Sequence, residues 1–263
     1  MISQQLTKEA SVVKAIHQNH VECLMNFKHC SLEKDFLDNQ ELKFISIRDF
    51  HRILHLNDMA NVPKLVQKIK HSNKNWSWII GPSSPLSNQS LDLEEIGFQN
   101  NSESTGMFLR LDRRDPQLFN PETLKVKQIT EVTDLEDWFK IFKEGYDLSE
   151  QHSERIDTLF KIYSDLINHK NQHFKLYMGF VNDSPAACCS TYENNRVIGI
   201  YDLATTPKMR RHKIATSMVN HILNAASLSN ELAVLSATED GISFFSSIGF
   251  KPSGVFKSFK FVK

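Results

Sequence analysis

The sequence lacks a surplus of either charge: 31 Lys and Arg stand against 31 Asp and Glu in 263 residues. A basic surface for non-specific nucleic-acid binding is therefore not expected, and nucleic acid is not a predicted partner. No stretch approaches the roughly 20 apolar residues of a membrane helix, so no membrane partner is predicted either. The first residues, MISQQLTKEASVVKAIHQ, hold no continuous apolar run of the secretory-signal kind. Cysteine is scarce, and Cys23, Cys30, Cys188 and Cys189 have no metal-site spacing. No metal is predicted. Cys188 and Cys189 adjoin in a strand-like run, where neighbouring side chains face opposite ways. Four reduced thiols in a cytoplasmic protein are the expectation.

Apolar residues, at 40%, are plentiful enough for a substantial core. The length suits one large domain or two of ordinary size. The N-terminal half predicts a helix from Thr7 to Phe27 and two strands in DFLDNQELKFISI. It then predicts a helix from Asn61 to His71, a strand at Trp76 to Gly81, a short helix from Leu86 to Ile96 and a strand at Thr105 to Leu111. DRRDPQLFNPET, residues 112–123, has two prolines and little apolar periodicity, and reads as a linker. The C-terminal half predicts a strand at Leu124 to Ile129 and helices at Asp134 to Lys143 and His152 to Asn168. Three strands follow, at His173 to Val181, Pro185 to Tyr192 and Val197 to Thr205. A strand at Leu232 to Ala237, a short helix at Ile242 to Ser247 and a strand at Val255 to Val262 complete it.

Ile198 to Ala215, IGIYDLATTPKMRRHKIA, organises the rest. An apolar β run breaks at Pro207, passes Arg210, Arg211 and His212, and enters a helix from Lys213 to Ala226. There Ile214, Met218, Ile222 and Ala226 recur at helical spacing. The first turn of a helix offers unpaired N–H groups and partial positive charge, so a strand–turn–helix of this kind can hold a phosphate. Basic residues oppose the dipole at a helix start, which favours an anion there over a merely solvated turn.

The chain also echoes itself. Ile96–Gly97–Phe98 precedes Gly106–Met107–Phe108 as Ile248–Gly249–Phe250 precedes Gly254–Val255–Phe256. A strand and a short helix precede the first triplet each time, which points to duplication.

These residues resemble the GNAT superfamily of acyl-CoA-dependent N-acyltransferases. Its signature is a strand ending near a proline, then Arg or Gln, two residues, Gly, one residue, and Gly or Ala. Leu203–Ala204–Thr205–Thr206–Pro207, Arg210, Lys213 and Ala215 follow it, with Lys213 in the first Gly position. LAVLSATEDGISFFSSIGF resembles the family's later strand, short helix and Gly-Phe, with Phe245 where many members carry a Tyr that assists the departing thiol. The chain looks like a bacterial subgroup with two GNAT-like halves, the first degenerate and marked by Trp–x–x–Gly–Pro–Ser, as at Trp78 to Ser83.

The resemblance implies an α/β (α+β) fold of two GNAT-like domains, each a mixed, mostly antiparallel sheet flanked by helices. The first spans residues 1–111 and the acetyltransferase domain residues 124–263. It implies acetyl-CoA as co-substrate, held by the strand end Leu203, Ala204 and Thr205, by Arg210, Arg211, His212, Lys213, Ile214 and Ala215, and beside Phe245. The acceptor is expected to be a small-molecule or peptide amine, attacked directly; a homodimer is compatible. A lysine-like amine has a pKa of about 10.4, so a base must free its lone pair. Asp202, inside the central strand, and Glu239, at the end of the next, are the candidates. A buried structural acid and a helix-start acid are their plainer readings. Tyr146, Asp147, Glu150 and His152 lie where the family shapes its acceptor pocket. The other reading of the whole is a catalytically silent CoA-binding or interaction protein, which Lys213 and Phe245 support.

Overall fold

The computed structural model describes residues 2–57, 60, 62–72, 74–88, 93–112 and 124–262. Of the predicted linker only Asp112 is described; residues 113–123 lie outside. The first half runs α1 (Ile2–Met25), β1 (Lys34–Asp38), β2 (Leu42–Ile47), β3 (Phe50–Leu56), α2 (Val62–Ser72), β4 (Ser77–Ile80) and β5 (Phe98–Arg110). The second runs β6 (Lys125–Ile129), α3 (Leu135–Gly145), α4 (Ser153–Asn168), β7 (Phe174–Val181), β8 (Ser184–Asn194) and β9 (Val197–Thr205). It ends with α5 (Ile214–Ala226), β10 (Leu232–Ala237), α6 (Glu239–Ile248) and β11 (Lys251–Phe261).

Helical spacing decides which faces are buried. Val62, Leu65, Val66 and Ile69 form the inner face of α2, and Ile214, Met218, Val219, Ile222 and Leu223 that of α5. β8 is buried almost throughout, because helices cover both faces of the sheet there. Cys188 packs with α3 and α4, Cys189 with α5, as period-two alternation requires. All four cysteines are buried and unbridged.

The strands form one sheet in the order β1-β2-β3-β4-β11-β5-β10-β9-β8-β7-β6. Among the described residues only β3/β4 and β9/β10 are parallel. Each half sends its last strand to the other. β5 pairs with β10 (Thr105 opposite Ala237) and β11 pairs with β4 (Phe259 opposite Trp78). β5 and β11 then pair with each other at the centre. Helix α1 adds a second bond between halves. Asn19 Nδ2 donates to the Tyr192 and Val197 carbonyls (3.3 and 3.4 Å), and its Oδ1 accepts from Tyr201 (2.6 Å).

Three expectations are corrected. β3 is an unpredicted strand: His51, Arg52 and His55 break its apolar run, yet Ile53, Leu54 and Leu56 are fully enclosed. β5 starts seven residues before the predicted Thr105, since its polar residues need only their backbone to pair with β11. The helix predicted at Leu86 to Ile96 is a single 3₁₀ turn at Pro85–Asn88 and a hydrogen-bonded turn at 93–97, with 89–92 outside the described residues.

The echo survives in backbone geometry. Gly97 (φ +95°) donates to the Glu94 carbonyl, and Phe98 to that of Leu93. Gly249 (φ +106°) donates to Ser246, and Phe250 to Phe245. This is the same glycine-closed turn twice, ending α6 at Gly249 and a short turn at Gly97, at a conformation that L side chains resist.

Candidate functional site

β9 and β10 pair only from Val197–Leu232 to Gly199–Val234. Beyond that the strands part. The cause lies in β9, which carries one extra residue opposite Cys188 to Ser190, with Asp202 at φ +52°. Such a bulge bends its strand and ends pairing on one side. β9 stays paired with β8 through Ala204 and Thr205 and leaves β10. The wedge is a cleft of about 830 Å³. Leu203, Ala204 and Thr205 line it from β9; Phe245 lines it from α6. The Phe245 ring packs against Phe244 and Phe250, at 4.9 and 5.7 Å between centroids.

The basic turn closes one end. Pro207–Met209 make a 3₁₀ turn, Arg211 and Lys213 take left-handed φ of +64° and +59°, and α5 begins. Lys213 gives α5 no side-chain cap, so the first-turn N–H groups are not met by that side chain. Ala215 lies on the cleft. Arg210 also lines it, but its Nη2 donates to the Gly145 carbonyl at 2.8 Å, which tethers the turn to the C-terminus of α3. Arg211, His212 and Lys213 are exposed and outside the cleft lining. His212 Nδ1 donates to the Arg210 carbonyl at 2.8 Å. Ile214 is in the core under α5, so only its backbone faces outward chemistry.

Asp202 sits on the cleft wall. Its Oδ2 accepts from the Tyr163 hydroxyl at 2.8 Å and from the Ser190 hydroxyl; Oδ1 accepts from neither. Burial pushes its pKa up. The Ser190 and Tyr163 hydrogen bonds and the Arg155 charge oppose that rise, and burial wins. Glu239 is exposed on the first turn of α6 and is not among the cleft residues; its neighbour Asp240 is.

A second cavity of about 260 Å³ opens between α3 and α4. It shares Asp202 and Tyr146 with the cleft. Of the four predicted acceptor residues, Tyr146 and His152 line it. Asp147 and Glu150 line a separate surface recess instead.

Sequence reasoning missed several cleft residues. His20 reaches it from α1, with both ring nitrogens buried and without a partner among the described residues. Burial lowers its pKa to about 4, so it is neutral. Ser102, Glu103 and Ser104 arrive on the exchanged β5, where Ser104 Oγ meets Ser236 Oγ at 2.6 Å. No local signal marks these residues; only the internal echo hints that β5 has a counterpart to pair with.

Residues 133–250 match the family model described as the acetyltransferase (GNAT) family, so the resemblance holds over that span. Acetyltransferases of this kind use acetyl-CoA. No curated protein matches the chain. Among solved structures, the fold is similar to a GCN5-related N-acetyltransferase from Kribbella flavida, at TM-score 0.67 and 13% identity over 97% of this chain and 95% of that one. A Drosophila protein aligns at TM-score 0.61 and 11% identity, over 97% and 96%. A tandem GNAT protein from the clavulanic acid biosynthesis pathway aligns at 0.58 and 13%, over 83% and 77%. The two-part arrangement is thus a known one.

Proposed function

We propose that this chain, with its GNAT-type region at 133–250, is an N-acetyltransferase that moves acetyl from acetyl-CoA directly to a small primary amine. One observation carries the reading: the cleft between β9 and β10 meets the α3–α4 cavity at Asp202 and Tyr146. Two substrates can therefore approach one another across a single carboxylate.

The residues present fit the co-substrate. The freed edge of β9 at Leu203 to Thr205 offers backbone groups to the pantetheine arm, and the start of α5 offers N–H groups to the pyrophosphate. Arg210 acts by holding the basic turn against Gly145. Acetyl-CoA supplies an acyl carbon activated by sulfur. The acceptor ammonium gives a proton to Asp202, its nitrogen bonds the acyl carbon, and the C–S bond breaks. The thiolate takes the proton the nitrogen still has to lose, and Asp202 returns its own to solvent. Burial that raises the Asp202 pKa makes it a better base toward an ammonium than an exposed carboxylate would be. Phe245 cannot donate to the thiolate, whose parent thiol has a pKa of about 8.5 and leaves without much help.

The test is acetyl-CoA-dependent thiol release over a panel of amines. Asp202→Asn is expected to lower kcat/KM by about 10²–10⁴-fold. The acid limb of the wild-type pH profile should lie above the ordinary carboxylate range and vanish in the variant. Stability gives an internal control. A carboxyl with a raised folded pKa stabilises the fold while protonated, and that contribution is lost as pH rises through the folded value. Asp202→Asn should therefore raise Tm at neutral pH, with the gap closing in acid. A variant with unchanged rate and profile would remove Asp202 from the mechanism. Acetyl-CoA binding without release for any amine would establish the silent binder that Phe245 suggests.

A further inference from the structure

The α3–α4 cavity has a charge pattern that the transfer of acetyl to an amine does not require. Phe142, Leu148, Ile156 and Leu159 give it apolar walls. Asp202 stands where it meets the cleft, and Arg155, on the first turn of α4, also lines it. Arg155 makes no hydrogen bond or salt bridge to any described residue, although its charge is felt at Asp202. The two are thus near but not paired: Arg155 is exposed at the cavity with its guanidinium fork open to solvent, while Asp202 is met by Tyr163 and Ser190.

A second guanidinium sharpens the point. Arg52 reaches the same region from β3. Its Cζ lies 4.5 Å over the Phe50 ring, and among the described residues its hydrogen bond is from Nη1 to the adjacent His51 carbonyl, at 2.9 Å. No carboxylate of a described residue forms a salt bridge with it. Burial first, and the Arg155 charge second, lower its pKa to about 9. The two guanidiniums are close enough to repel each other, so their positive potentials add where Arg155 lines the cavity.

We infer that the acceptor is an α-amino acid with an apolar side chain: its amine meets Asp202, its carboxylate is held by Arg155, and its side chain lies against Phe142, Leu148, Ile156 and Leu159. This rests on the acetyltransferase reading and narrows it. Arg is suited to the role, since its planar fork binds a carboxylate through two parallel hydrogen bonds. A volume of about 260 Å³ suits a molecule of amino-acid size. Arg52 acts at longer range, by adding its charge to that of Arg155.

L-Leucine, L-leucinamide and 3-methylbutylamine separate the parts of this claim. All three carry the same side chain and a primary amine; only leucine has the carboxylate. The amine of leucinamide is the less basic and is freer to attack at neutral pH, so the comparison is biased against the inference. Leucine is nevertheless expected to exceed both in kcat/KM by about 10- to 100-fold, the usual worth of a charged hydrogen-bond pair. Arg155→Gln should erase that preference by raising KM for leucine, whereas any change that it makes through the Asp202 carboxyl should fall on leucine and 3-methylbutylamine alike. Arg155→Lys should recover part of it. Calorimetry with acetyl-CoA on each variant keeps the two readings apart: unchanged co-substrate binding shows that the fold and the cleft are intact. Leucinamide or the plain amine matching leucine would overturn the inference while leaving the acetyltransferase standing. So would a preference for leucine that survives in Arg155→Gln. Should no amine be turned over, leucine binding to the acetyl-CoA-saturated protein, followed by thermal shift and lost in Arg155→Gln, would support it, and no leucine binding would overturn it.

Discussion

The two parallel strand pairs are built alike and used differently. β9 and β10 part after Gly199 and Val234, and the wedge between them is an open cleft. β3 and β4 pair only at Arg52–Ser77 and Ile53–Trp78, so they part as well. There the space is taken by His17. Its Nδ1 lies 2.7 Å from Ser83 Oγ, its ring stands 6.4 Å from that of His55, and a Cβ on Gly81 would come within 2.1 Å of its Cδ2. Burial and the His55 charge depress its pKa to about 4, so the plug is a neutral ring at physiological pH. One turn further along the same helix, His20 borders the open cleft instead. The helix starts differ too. α2 has Pro63 in its first turn, which removes an N–H where α5 keeps its own. Of two similar strand wedges, one is therefore open and the other filled, and α1 is the element that reaches both.

The largest effect is expected from separating the halves. Residues 124–263 alone would lose α1, and with it the Asn19 bonds to β8 and β9. β10 would lose β5, and β11 would lose both of its neighbours. The fragment should show no cooperative unfolding transition by circular dichroism. The mirror fragment, ending near Asp112, should fail for the same reason, since β5 pairs only with β10 and β11. A monomeric, cooperatively folded 124–263 that binds acetyl-CoA would show that the exchanged strands are dispensable.

A smaller effect should come from the plug itself. Gly81→Ala drives a methyl into the His17 ring, and overpacking of this kind costs about 1–3 kcal/mol. The same change in His17→Ala should cost much less, because the ring that it strikes is gone. Chemical denaturation of the two single variants and the double variant would yield that coupling. Acetyl-CoA stoichiometry should stay at one per chain in all three. A second equivalent bound by His17→Ala would mean that the first half has kept a usable site behind its plug.

Some of this contrast is legible in the sequence and some is not. The strand, basic turn and helix from Val197 to Ala226 announce themselves because apolar period and proline position are local properties. Gly97 and Gly249 do so because a turn closed at positive φ selects glycine locally. β3 is hidden by His51, Arg52 and His55, whose polar groups are met partly close by, at Ser46 and Phe50, and partly by rings far along the chain, Trp76 at His51 and His17 at His55. The exchange of β5 and β11 depends on which of two equivalent edges a strand meets, and side-chain pattern does not distinguish them. His20, Tyr163 and Ser190 come to Asp202 or its cleft from three different elements. Nothing in their own neighbourhoods marks them, so the cleft emerges only when the sheet is assembled.

Lys213 offers the finest test of how the open site differs from the filled one. As N-cap of α5 it holds φ +59°, ψ +17°, a conformation that costs an L residue about 1–2 kcal/mol and glycine almost nothing. The position thus has a physical reason to be glycine, beyond room for a ligand. A cation there also opposes the helix dipole, at roughly 0.3–1 kcal/mol. Lys213→Gly removes both costs and gives back part of the gain through the greater freedom of glycine when unfolded. The net expectation is a gain of about 0.5–1 kcal/mol, read as a Tm rise of roughly 1–4 °C. Lys213→Ala removes the charge but keeps the strain, so it should gain less than Lys213→Gly; equal gains would assign the whole effect to charge. Calorimetry then decides what holds the pyrophosphate. If the backbone N–H groups of α5 do, Lys213→Gly leaves acetyl-CoA affinity unchanged while Arg210→Ala, which frees the turn from Gly145, weakens it. A loss of about tenfold or more in both Lys213 variants, some 1.4 kcal/mol, would make the ammonium the ligand and the backbone its support.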